Sequence, residues 1–192
     1  MRKVYVFIGV IGSGKSYYAD LVAKQCGAKR LDFKDALIDM TYNLLNLPKS
    51  FDYETFKNSE YINSTTGQKL LGRHFLQFLG TEIIRNQIDK DYWCKALVKK
   101  IKELPDGVPV AIADCRFINE IRCLLDEKDF DVEFYLTRFP SERFNLNSEH
   151  ESEKLAKNLT NMVEYIEDKT NPSFFRDDKF VVKINVNFLF GE

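Results

Sequence analysis

The chain has 192 residues, and 28 Lys+Arg against 29 Asp+Glu leave a formal net charge of −1. Hydrophobic residues make up 44%, with 16 Phe and 9 Tyr, which excludes a disordered chain and predicts one core of roughly 70% buried surface. The near-neutral balance argues against a nucleic-acid coat or a membrane-surface protein, but leaves room for a local cluster of cations around a small anion.

Val4 to Ile8 is a continuous apolar run of the kind buried on both faces of a parallel sheet. Gly9 to Gly14 turns the chain into a helix predicted from Lys15 to Cys26, with Gly27 as its stop. A short strand is expected around Leu31 to Phe33, then a helix from Asp35 to about Leu45 ended by Pro48. Lys49 to Lys69 is polar and turn-rich and reads as an irregular excursion. Leu70 to Asn86 reads as one helix with Leu76, Leu79 and Ile83 on one face. Asp89 to Glu103 is a further helix. Val108 to Ala113 is a second buried strand, Ile118 to Glu127 a helix and Val132 to Thr137 a third strand. Arg138 to Glu151 is polar and reads as a mobile loop, and Met162 to Ile166 and Phe180 to Val186 read as late strands. Alternating strands and helices predict a doubly wound α/β fold, a mostly parallel sheet flanked by helices in three layers.

Cys26, Cys94, Cys115 and Cys123 form no C-x-x-C pair, and with only His74 and His150 no zinc spacing appears. They are expected as buried free thiols in a reducing cytosol. No run approaches the ~18 apolar residues of a membrane helix. Met1-Arg2-Lys3 followed by Val4 to Ile8 mimics a signal peptide, but cleavage there would destroy the motif that follows, so a cytoplasmic location is expected.

That motif is Gly9-x-x-Gly12-Ser13-Gly14-Lys15-Ser16, which satisfies G-x-x-x-x-G-K-[ST] between a strand and a helix. Its glycines let backbone N–H groups converge on phosphate oxygens, and the helix points its positive end at the same anion. Lys15 is expected at the β- and γ-phosphates of ATP, and Ser16 on Mg²⁺. Val110 to Asp114 is a strand ending in an acid, so Asp114 either holds Mg²⁺ or its water shell, or caps the next helix. Arg116 either grips a phosphate or pairs with Glu120 at i+4. Arg73, Gln77, Thr81 and Arg85 recur every four residues along one helix side, either as acceptor contacts or as a solvated face. Arg73 and Arg85 stand about 18 Å apart on a helix and cannot grip one phosphate. Trp93 either stacks a base or anchors the core. Arg138, Arg143 and His150 lie in the polar loop, a natural source for a cation at the transition state.

No guanine-reading N-K-x-D segment is present, and the length suits a small-molecule kinase better than a motor. The stretches Arg73-His74-Phe75-Leu76-Gln77-Phe78-Leu79-Gly80-Thr81-Glu82-Ile83-Ile84-Arg85, Asp91-Tyr92-Trp93, Asp114-Cys115-Arg116-Phe117-Ile118-Asn119-Glu120 and His150-Glu151-Ser152-Glu153 resemble phage-type deoxynucleoside monophosphate kinases. The resemblance covers most of the chain. It implies a single P-loop kinase domain with an acceptor-binding helical region near 34–105 and a lid near 138–151, acting on ATP and a deoxynucleoside monophosphate. It implies Arg73 and Arg116 as holders of the acceptor phosphate, Trp93 as a stacking residue, and Gln77 and Glu120 as positioning groups. Thr81 and Asp114 join that substrate set. So do Phe33 and Lys34, although the family often reads F-A-D-P-L-K where this chain reads Phe33-Lys34-Asp35-Ala36-Leu37-Ile38. Relatives also suggest a homodimer, and a phage member would work in the host cytoplasm. Two rivals share the phosphate loop: a kinase for another small acceptor such as dephospho-coenzyme A, and a non-catalytic ATP-binding regulatory module.

Overall fold

In the computed structural model, residues 1–62, 65–138, 151–162 and 180–191 are described. The chain divides into two compact units, Met1–Asp32 with Val98–Glu192, and Phe33–Leu97. In chain order the elements are β1 (Arg2–Ile8), α1 (Lys15–Cys26), β2 (Lys29–Arg30), α2 (Asp35–Leu44), α3 (Tyr53–Asn58), β3 (Glu60–Ile62), β4 (Lys69–Leu71), α4 (Gly72–Gln77), a π-helix (Phe78–Ile88), α5 (Tyr92–Lys102), β5 (Val110–Ile112), α6 (Ile118–Leu125), β6 (Phe130–Thr137), α7 (Glu151–Met162), β7 (Val181–Ile184) and a 3₁₀ turn (Asn187–Phe190).

The first unit is an α/β fold around a sheet ordered β2-β5-β1-β6-β7. Parallel pairing joins β1 to β5 and β6, and β2 to β5, while β7 runs antiparallel on β6. Val4, Val6, Phe7 and Ile8 are all fully buried, so both faces of β1 are covered, as its unbroken apolar run requires. One face packs Phe7, Ala111, Ala113, Tyr135 and Val181 against Tyr18, Ala19 and Val22 of α1. Gly27 ends α1 at φ 65°, a left-handed position that glycine fills without strain.

The late segment around Phe180 to Val186 contributes β7, with Val181 opposite Thr137 and Ile184 opposite Phe134. Its attachment has an ionic centre. Glu133 accepts from Tyr135 Oη (2.6 Å) and Lys183 Nζ (3.0 Å), and pairs with Lys3 Nζ at 2.6 Å. One carboxylate thereby ties three neighbouring strands.

The second unit departs from expectation in two places. The segment from Lys49 to Lys69 is not irregular throughout: Asp52 caps α3 by accepting from Thr55 N at 2.8 Å, and β3 pairs antiparallel with β4. Nor is Leu70 to Asn86 one α-helix. It is α-helical over Gly72–Gln77 and then widens to i→i+5 bonding, as Asp89 N–H to Ile84 O (2.8 Å) shows at its end. The expected strand at Leu31 to Phe33 lies two residues earlier, at Lys29–Arg30. Met162 ends a helix rather than opening a strand, and 163–166 lie outside the described residues. All four cysteines are free, with Cys94 and Cys115 buried. Among the described residues no helix is long and apolar enough to cross a membrane.

Burial opposes ionisation of Glu133, but the hydrogen bonds from Lys3, Tyr135 and Lys183 together outweigh it and hold the carboxyl below the ordinary range. Its contribution is therefore complete above the ordinary glutamate range and is lost as pH falls through the lowered value. Glu133→Gln should cost about 1–2 kcal/mol near neutral pH. In urea unfolding at successive pH values, that difference should shrink in acid.

Candidate active site

Ile8 ends β1 at the sheet's C-terminal edge, and the chain reverses there before α1 begins at Lys15. Gly9 opens the reversal. A Cβ at this position would collide with Ser13 Oγ and Thr137 Oγ1 and lie 2.8 Å from Thr137 O. Thr137 donates to Ile8 O (3.2 Å), which leaves Ser13 to donate to Thr137 at 2.8 Å; both hydroxyls are fully buried. Gly12 (φ 81°) and Gly14 (φ 93°) take left-handed conformations that a side chain would strain. Lys15 Nζ bridges the carbonyls of Gly9 (2.6 Å) and Val10 (2.8 Å), across the mouth of its own loop. The first turn of α1 carries no acidic residue, so its positive end is not neutralised from within the helix. Ser16 follows at the exposed start of that turn. Close glycines, an ammonium and a helix N-terminus gather at this edge of the sheet, the features a polyphosphate cradle needs.

Beside β1, β5 ends at Ile112, in register with Val6. Beyond it, Ala113 N–H donates to Asp32 Oδ1 (2.9 Å), which fixes the segment leading into Asp114. Asp114 is 7% exposed. Cys115 is buried, and burial together with Glu120 and Asp114 pushes its thiol well up, so it stays protonated and inert. Glu120 Oε2 accepts from the backbone N–H groups of Arg116 (2.7 Å) and Phe117 (3.1 Å) and so caps α6. The Arg116 guanidinium goes to Glu153 of α7, Nη1 to Oε1 at 2.8 Å, while Glu153 Oε2 accepts Ile11 N–H of the loop at 2.8 Å.

In the second unit, Arg73 and Gln77 are exposed on α4, and Thr81 is half-buried on the π-helix. Because the winding changes after Gln77, the four-residue spacing no longer keeps Thr81 and Arg85 on the face it would mark on an α-helix. Trp93 is 4% exposed and donates Nε1–H to Gly80 O at 2.9 Å, the geometry of a core anchor. Gly80 itself sits close to α2, where a Cβ would lie 2.7 Å from Leu37 Cδ2. Phe33 is buried and Lys34 half-buried just before α2.

The first unit thus brings together the loop of Gly12, Ser13, Gly14, Lys15 and Ser16 with Arg116 and Glu120. Arg138 is half-buried at the end of β6, its N–H on Phe180 O at 2.7 Å. Arg143 and His150 lie outside the described residues. Sequence reasoning overlooked Thr137 and Asp32 and gave Glu153 no role of its own. Thr137 had a signal, a hydroxyl closing an apolar strand.

A family model described as deoxynucleotide monophosphate kinase matches residues 31–135, more than half of the chain. No curated protein matches it. For the loop itself, Gly9→Ala should cost about 1–3 kcal/mol by overpacking against Ser13 and Thr137. Thr137→Ser, which keeps the hydroxyl pair, should cost less in the same urea-unfolding measurement.

Proposed function

The chain belongs to the deoxynucleotide monophosphate kinase family and is a phosphotransferase, and we propose that it moves the γ-phosphoryl group of ATP onto a deoxynucleoside 5′-monophosphate. A phosphate oxygen of the acceptor bonds to the γ-phosphorus as the bond to the β–γ bridging oxygen breaks, leaving ADP and a deoxynucleoside diphosphate. The observation that carries this reading is the formed phosphate loop, with Lys15 across its mouth and Arg116 linked to it through Glu153.

Loop amides from Gly12 to Ser16 bind the triphosphate, and the Lys15 ammonium leaves the carbonyls of Gly9 and Val10 for the β- and γ-phosphate oxygens. Mg²⁺, when bound at Ser16 with Asp114 acting through water, supplies charge neutralisation on those oxygens. Arg116 holds the acceptor phosphate, with its backbone fixed by Glu120. Arg73, Gln77, Thr81, Phe33, Lys34 and Trp93 form the remaining acceptor set. For Trp93 this role is shape and support, since its indole is buried. Arg138 and Arg143 supply transition-state charge. The chemistry is positioning and electrostatics, and it needs no covalent intermediate and no strong base.

Two variants and one panel test this. Lys15→Ala should lower kcat on the order of a hundredfold or more while the fold stays cooperative. Arg116→Ala should reduce kcat/KM for the acceptor far more than it weakens ATP binding. ADP release over a panel of deoxy- and ribonucleoside monophosphates should depend on a deoxynucleoside monophosphate. Acceptor-independent nucleotide binding alone would overturn the reading.

A further inference from the structure

Glu153 stands in the first turn of α7, 2% exposed, and belongs to neither the phosphate loop nor the strand-end acid and arginine. A carboxylate this deeply buried is tolerated only when its oxygens are hydrogen-bonded. Both are. Oε2 accepts the Ile11 amide of the phosphate loop and Oε1 accepts the Arg116 guanidinium, each at 2.8 Å. The partners lie 142 and 37 residues away in the chain, so the contact is a product of the fold rather than a local cap.

We propose that Glu153 is a positioning residue for phosphoryl transfer, locking the tip of Arg116 to the phosphate loop so that the acceptor phosphate is held in line with the γ-phosphate. This rests on Arg116 holding the acceptor. The two acids on Arg116 divide the work: Glu120 fixes its backbone and Glu153 fixes its guanidinium. The Arg116 side chain remains 37% exposed with this bond in place. A rigid carboxylate bridging both partners removes side-chain freedom before substrates arrive, which is where orientation gains come from. The pair is also electrically balanced. The Glu153 charge close to the loop is offset by Arg116, so the cradle keeps its attraction for phosphate.

Glu153→Gln is the primary test, because the amide oxygen still accepts Ile11 N–H but its NH₂ group cannot accept from Arg116. Expected is a loss of kcat/KM for the deoxynucleoside monophosphate on the order of tenfold or more. KM for ATP should move by less than about threefold. In an Arg116→Ala background, Glu153→Gln should add little, since its partner is already gone. Unchanged acceptor kinetics, equal losses for both substrates, or full additivity with Arg116→Ala would each overturn the proposal. If Arg116→Ala alone leaves acceptor kinetics intact, the underlying reading of Arg116 fails and this one with it. If only Glu153→Gln is silent, this one alone fails. Should Glu153→Gln unfold by circular dichroism, Glu153→Asp keeps the charge but is too short to span both partners. It should show the same acceptor-selective loss, and full activity in it would overturn the proposal.

Discussion

The first unit of this protein depends on one close approach, that of the Gly9 backbone to the end of β6. Parallel pairing sets Ile8 opposite Leu136, so the next residue, Thr137, falls beside the start of the loop. There its hydroxyl joins Ile8 O and Ser13 Oγ in one buried chain of hydrogen bonds. No side chain fits between them, so glycine is required at position 9 for reasons of space, before any ligand is considered. The loop is thus anchored to the sheet at its first residue and to a helix at its last. Its backbone course is thereby set by the fold itself.

Buried carboxylates do the second part of the work. Glu120 and Glu153 are each 2% exposed and each is satisfied by N–H groups, Glu120 by those that open its own helix and Glu153 by those that other segments bring to it. Glu133 uses the same chemistry elsewhere, collecting two ammonium groups and a phenol to hold β7 on β6. Glu153 and Glu133 collect donors from distant segments, whereas Glu120 is bonded within its own capping turn. The cost of burying a charge is offset only when all partners are in place, which makes such groups sensitive reporters of correct assembly.

The legible elements were those whose signal is local. The apolar run from Val4 to Ile8, the glycine stop at Gly27 and the predicted bounds of α1 all reappear in the fold. Asp52 carried a capping signal for α3 that a polar surrounding hid, and β3 and β4 were too short to show alternation. The π-helix was not read from the sequence. Its apolar residues recur both four apart, as in Leu79 and Ile83, and five apart, as in Phe78, Ile83 and Ile88, so their spacing alone does not separate the two windings. Trp93 shows the same limit: a lone tryptophan looks equally suited to stacking and to the core until its N–H partner is known.

Sequence alone determined the phosphate loop, the helix behind it and the strands around it, because each expresses a backbone requirement met by adjacent residues. It also singled out Arg116 as a candidate, through a run that resembles a known family. Tertiary structure decided what the Arg116 guanidinium touches, where β7 attaches and how the Arg73 helix winds. Those outcomes rest on pairings such as Ile11 with Glu153, 142 residues apart, or Ser13 with Thr137, 124 apart. A hydrogen bond across such a span depends on the register of the whole sheet, and no local pattern records it. The charge of −1 is the plainest instance. As a sum it describes solubility, while the site is made by which few charges the fold buries together.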